Sequence, residues 1–108
     1  MPDVNKRLAF LEHAVKTGTA DSFARYALGM EYRNAGRVDD AVATFTELRA
    51  KDPGYLPMYL MVGQLLTEAA RKSEAIEWLE AGIVLATERS DGKALGELES
   101  ALGEARDA

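Results

Sequence analysis

The chain contains no cysteine, which excludes disulfides, thiolate nucleophiles and sulfur-ligated metals. It has one histidine, His13, with Glu12 beside it and no second imidazole. Neither a zinc site nor a histidine acid/base pair can be built around it in one chain. Only three prolines interrupt 108 residues, and Val, Ile and Thr are sparse beside Ala, Leu, Glu, Arg and Lys, so helix is favoured over strand almost everywhere. No stretch approaches the roughly 18 to 20 consecutive apolar residues of a membrane span. The N-terminus, MPDVNKRLAFLEHAVKTG, is charged throughout and does not read as a secretory leader; the expectation is a soluble, cytoplasmic protein.

Positive charge is also scarce. Basic runs do not exceed a dipeptide such as Arg71-Lys72, and the net charge is −5, which argues against nucleic acid and anionic lipid as partners. The imbalance is local: residues 1–54 carry eight acidic and eight basic side chains, residues 55–108 ten and five. Electrostatic steering should therefore act through the second half and favour a basic partner. Gly29 and Gly36, or Gly92 and Gly96, do not make a phosphate-binding loop. Glu74, Glu77, Glu80, Glu97, Glu99 and Glu104 read as the solvent faces of amphipathic helices, without the Asp/Asn-Gly pattern of a calcium loop. No cofactor, metal or catalytic residue is expected.

Apolar residues make up 47% of the chain and charged residues 29%, the balance of a globular domain, and the length suits one domain spanning 1–108. Helical periodicity divides it into six segments. The first, 3–17, carries Leu8, Leu11 and Val15 and ends at Thr17-Gly18-Thr19. The second follows Asp21, a good N-cap, with Phe23, Tyr26, Ala27 and Met30, and stops at Asn34-Ala35-Gly36. Val38 to Lys51 forms the third, with Ala41, Val42, Phe45 and Leu48 spaced three and four apart, ended by Asp52-Pro53-Gly54. A fourth begins near Tyr55, with Pro57 in its first turn, and runs through Met58, Met61, Val62, Leu65 and Leu66 to about Ala69. The fifth, Lys72 to Glu88, places Ala75, Ile76, Leu79, Gly82, Ile83 and Ala86 inward. After Ser90-Asp91-Gly92, Leu95, Leu98 and Leu102 mark the sixth. Helices with such short connections form antiparallel hairpins.

The segments repeat at 34 residues: Leu28 recurs as Val62, Gly29 as Gly63, Tyr32 as Leu66, Ala41 as Ala75, Val42 as Ile76 and Phe45 as Leu79. Small residues at Gly29, Gly63, Ala41 and Ala75 would let paired helix axes approach closely. The first copy reads Arg25-x2-Leu28-Gly29-x2-Tyr32, then Ala41-x3-Phe45, then Pro53. This resembles the tetratricopeptide repeat, W-x2-L-G-x2-Y…A-x3-F…P, with Arg25 where the family has tryptophan. The second copy is degenerate, with Tyr59 in that place, Gly63 and Ala75 retained, and Thr87 in place of the proline. The resemblance implies an all-α superhelix of antiparallel hairpins, with repeats at 22–55 and 56–89, an N-terminal capping helix at 3–17 and a C-terminal one at 90–106. In the last, Gly96 and Glu97 stand where Leu-Gly would belong. Leu48 occupies a position the family usually gives to a small residue, and Gly82 is its counterpart.

In that family the first helices of successive repeats line a concave surface. By resemblance, the residues facing it are Phe23, Tyr26, Met30, Arg33 and Asn34, then Pro57, Leu60, Gln64, Thr67 and Glu68. Tyr26 and Met30 replace the Lys and Asn clamp with which some family members grip a chaperone's C-terminal carboxylate, so that ligand is not expected. An apolar floor with Arg33, Asn34 and Gln64 as hydrogen-bonding groups suits an extended or helical peptide, about four to six residues by strand rise. Met30, Met58, Met61, Tyr26, Tyr55 and Tyr59 divide between core packing and an adaptable surface. Trp78 is expected to pack under the terminal helix, with exposure as an interface anchor the alternative. The resulting expectation is an adaptor for a peptide or helix of another protein; the alternative is self-association into a homodimer through the same groove or a terminal helix.

Overall fold

The computed structural model describes residues 2–108, with side chains from Lys6 onward. It contains α1 (Pro2–Lys16), α2 (Ser22–Asn34), α3 (Val38–Lys51), α4 (Pro57–Glu68), α5 (Lys72–Glu88) and α6 (Gly92–Asp107), and no strand among the described residues. The fourth helix starts at Pro57 rather than near Tyr55. Leu56 stands at the N-cap position without a side-chain hydrogen bond, and proline in the first turn forgoes only an N–H that has no helical partner. Asp21 and Asp91 cap α2 and α6 by accepting hydrogen bonds from the Ala24 and Ala94 amides, at 2.8 and 3.0 Å. By contrast, α3 and α5 begin on Arg37 and Arg71, one repeat apart. Each pairs at 2.8 Å with an acid three residues on, Asp40 and Glu74 respectively. Arg71 holds the Glu74 carboxyl below its ordinary range by hydrogen bonding.

The helices form two compact units, one reaching Pro53 and the other starting at Gly54. In the first, α1 packs on α2 and α2 on α3; in the second, α4 packs on α5, and α6 on both. The α2–α3 hairpin closes at its open end through the Ser22 hydroxyl, which donates to Asp52 Oδ2 at 2.7 Å. Its tightest crossing lies at Gly29, where a Cβ would stand 2.5 Å from Phe45 Cζ. The equivalent crossing in the α4–α5 hairpin puts a Gly63 Cβ 2.2 Å from Leu79 Cδ2 and 2.4 Å from its Cγ. Gly82 does the same against Tyr59 Cβ and Leu98 Cδ2, at 2.7 and 2.9 Å. Phe45, Leu48, Met58, Leu66, Leu79 and Leu98 are fully buried. Trp78 is buried too, its ring tilted against Tyr59 with centroids 5.8 Å apart, which removes it as an exposed anchor.

Helix ends reuse one turn. At Gly36 the amide donates to the Arg33 carbonyl and the next amide, of Arg37, reaches back to Tyr32, the double bond of a Schellman cap. The same pair of bonds recurs around Gly18, Ala70 and Ser90. All four residues have left-handed φ, between 53° and 76°, which glycine tolerates and Ala70 and Ser90 adopt at a cost. Beside the first of these turns, the Tyr32 hydroxyl donates to Glu12 of α1, and the Arg37 guanidinium lies 4.6 Å above the Tyr32 ring. Burial first, and the Glu12 carboxylate second, push the Tyr32 phenol up to about 12.

Adding a methyl at Gly63 must displace the Leu79 branch point, so Gly63→Ala is expected to cost about 1 to 3 kcal/mol in denaturant unfolding. Ala70→Gly should do the opposite, raising stability by about 0.5 to 1 kcal/mol in the same measurement, because the left-handed turn is then unstrained. Tyr32 ionises later in the folded state than in the unfolded chain. Its contribution is thus complete below pH 10 and disappears as pH rises through about 12. In Tyr32→Phe this loss of stability between pH 10 and about 12 should be absent, and phenolate absorbance should lack its late-titrating component.

Candidate protein-binding faces

Each unit presents a helix whose inner stripe is committed to the core and whose opposite stripe is open. On α2 the inner stripe is Arg25, Leu28, Gly29 and Tyr32. Arg25, in place of the family tryptophan, is only 9% exposed and sends Nη1 to Glu47 Oε1 at 3.1 Å. Glu47 is half open to water, so the ion pair contributes little; the buried aliphatic stem is what fills the space. The sequence carried no signal for Glu47 as its partner. On the outer stripe Phe23 is 69% exposed, Asn34 is exposed, and Tyr26, Met30 and Arg33 are half-buried. Tyr26 is tilted against Phe45 with ring centroids 5.8 Å apart, so part of its surface is spent on the hairpin core.

On α4 the core takes Met58, Tyr59, Val62, Gly63, Leu65 and Leu66. Met58 and Tyr59 are thereby lost to any adaptable surface, while Met61 and Tyr55 are half-buried. Pro57, Gln64 and Glu68 are exposed and Leu60 and Thr67 half-buried, all on the open side. The Thr67 hydroxyl donates back to the Gly63 carbonyl at 2.8 Å, which leaves it less available to a ligand.

Leu60 and Gln64 line an open cleft of about 520 Å³ whose other wall is α6, with Gly92, Lys93, Gly96, Glu97, Ser100, Ala101 and Glu104. The sequence reading treated α6 as a terminal cap and missed this wall. The signal was there in the fourfold spacing of Gly92, Gly96 and Ser100, which leaves a shallow strip along one side of the helix. The buried residues of α6, Leu98, Ala101, Leu102 and Ala105, are out of phase with the 34-residue register, so the repeat could not place them. His13 lies on the exposed side of α1. Glu74 and Glu80 are exposed and pair with Arg71 and Arg106. No helix among the described residues is long and apolar enough to cross a membrane.

A tetratricopeptide-repeat family model matches residues 32–96. The crystal structure of a tetratricopeptide repeat domain protein from Salinibacter ruber is similar with a TM-score of 0.74 at 35% identity, covering 82% of this chain and 98% of that one. A solution structure of a tetratricopeptide repeat domain protein from the same organism gives 0.75 at 36% identity, over 81% and 88%. A Bordetella parapertussis protein solved in solution shares the fold, with a TM-score of 0.78 at 24% identity over 93% and 87%. No curated protein is significantly similar in sequence. Helix pairing, the 34-residue register and these likenesses agree: the chain belongs to the tetratricopeptide repeat family, whose members generally serve as protein–protein interaction modules.

Proposed function

We propose that the chain is a non-catalytic adaptor that holds a peptide or helix of a partner protein on the open sides of its first helices, α2 of repeat 22–55 and α4 of repeat 56–89. Helices 3–17 and 90–106 serve as the caps of that array. The observation that carries this reading is the cleft beside α4, because Leu60 and Gln64, assigned to the ligand-facing stripe by repeat position alone, lie in its wall. A half-buried leucine next to an exposed amide offers an apolar anchor site with a hydrogen-bonding rim, the usual composition of a peptide-recognition surface. On α2 the exposed Phe23 with Arg33 and Asn34 offers a second anchor of the same kind.

The competing reading is a homodimer through a terminal helix, favoured by Phe10, which stands 71% exposed on α1. Sedimentation over a wide concentration range separates the two, since an adaptor stays monomeric without its ligand. For the adaptor reading, peptides selected from a display library on the wild-type protein should bind Leu60→Ser/Gln64→Ala at least about tenfold more weakly, a loss of about 1.4 kcal/mol. The variant's thermal melt should stay close to wild type, because neither side chain is in the core. Undiminished binding to the variant would remove the α4 face from the ligand site.

A further inference from the structure

We infer that the α4–α6 cleft selects a cationic segment of its partner, one that lays Lys or Arg side chains along the cleft beside Leu60 and brings their charges to Glu97 and Glu104. The inference rests on the cleft being the ligand site and concerns which ligand it takes. Glu97 and Glu104 are seven residues apart on α6, two helical turns along one side, and both line the cleft. Neither has an ion-pair partner among the described residues, unlike Glu74 and Glu80 on α5, which Arg71 and Arg106 neutralise at 2.8 and 3.5 Å. On the facing wall Leu60 and Gln64 supply no charge, and the next residue of that stripe, Glu68, is exposed and also unpaired. Lys93 is the one cation of the lining. It lies one helical turn from Glu97 but eleven residues, about 16 Å along the helix, from Glu104, so it offsets charge at the start of α6 and leaves the Glu104 end of the cleft anionic.

Shape and charge support the same ligand. A Cβ at Gly92, Gly96 or Gly103 would meet nothing within 4 Å, so this side of α6 is open and a bound chain can lie close to the helix backbone. An aliphatic stem over Leu60 with its cationic end at a carboxylate uses both properties of a Lys or Arg side chain. Residues 55–108 hold the chain's whole net charge of −5, so the surrounding field steers the same sign of ligand toward the cleft.

Three immobilised pools of random peptides, about six residues long to match the cleft, test this: one enriched in Lys and Arg, one in Asp and Glu, one neutral. The expected result is strongest capture of the protein by the basic pool. That capture should weaken at least tenfold in Glu97→Gln/Glu104→Gln and fall with added salt, while the variant's thermal melt is unchanged. In an NMR titration with the basic pool, the Gly96 and Ser100 amides should shift. Equal or stronger capture by the neutral or acidic pool, or basic capture that ignores the double substitution, overturns the cationic ligand while leaving the adaptor role standing. If no pool captures the protein, or Leu60→Ser/Gln64→Ala is captured as well as wild type, the cleft is not the ligand site, and the cationic ligand and the α4 face of the adaptor fall together. Concentration-dependent self-association abolished by Glu97→Gln/Glu104→Gln would give the cleft to a second copy instead, overturning the foreign partner.

Discussion

Two helices can approach only as closely as the side chains between them allow, and at three crossings in this chain that limit is set by glycine. Gly29 receives the Phe45 ring, Gly63 the branched end of Leu79, and Gly82 both Tyr59 and the Leu98 methyls. Each bulky residue is buried because the opposite helix offers it bare backbone, so pocket and filler are a single device. The device also orients the helices. Turning Gly63 toward Leu79 commits one side of α4 to the core and leaves Leu60 and Gln64 on the other, which is why the open stripe can be assigned at all.

The repeats preserve physical roles more faithfully than residues. Four helix ends use the same pair of hydrogen bonds and the same left-handed residue, yet glycine fills only two of them. Arg37 with Asp40 and Arg71 with Glu74 open α3 and α5 in the same way. At Arg25 the family's large indole is replaced by an aliphatic stem of similar reach whose charge escapes to Glu47 at the surface. Such substitutions are tolerated because each position requires a volume, a φ angle or a cap, and more than one side chain can supply it.

The surface follows a different logic from the core. Ion pairs such as Arg7 with Glu31 and Arg37 with Asp40 accompany balanced charge in the first unit, whereas the second has ten acidic side chains to five basic and so carries carboxylates in excess. Surface charge of one sign keeps a protein soluble and shapes the field that an approaching partner meets. The places on α2 that the family resemblance gives to a carboxylate-gripping clamp are held by Tyr26 and Met30.

By itself the sequence determined the class, the six helices and the phase of two hairpins, because glycine, alanine and bulky apolar residues recurring at 34 positions admit one pairing of helix faces. The open stripe of α4 came from the family resemblance, by repeat position, and not from the helical period alone. Only the tertiary structure decided where α6 lies. Its buried face departs from the repeat register, and which helix it packs against depends on the shape left by Gly82, Tyr59 and Leu98 rather than on any local pattern. The pairing of Arg25 with Glu47, the burial of Trp78 and the cleft wall of Gly96, Glu97 and Ser100 were settled at the same level. Each depends on residues of different helices, whose meeting is fixed by packing and not by spacing along the chain.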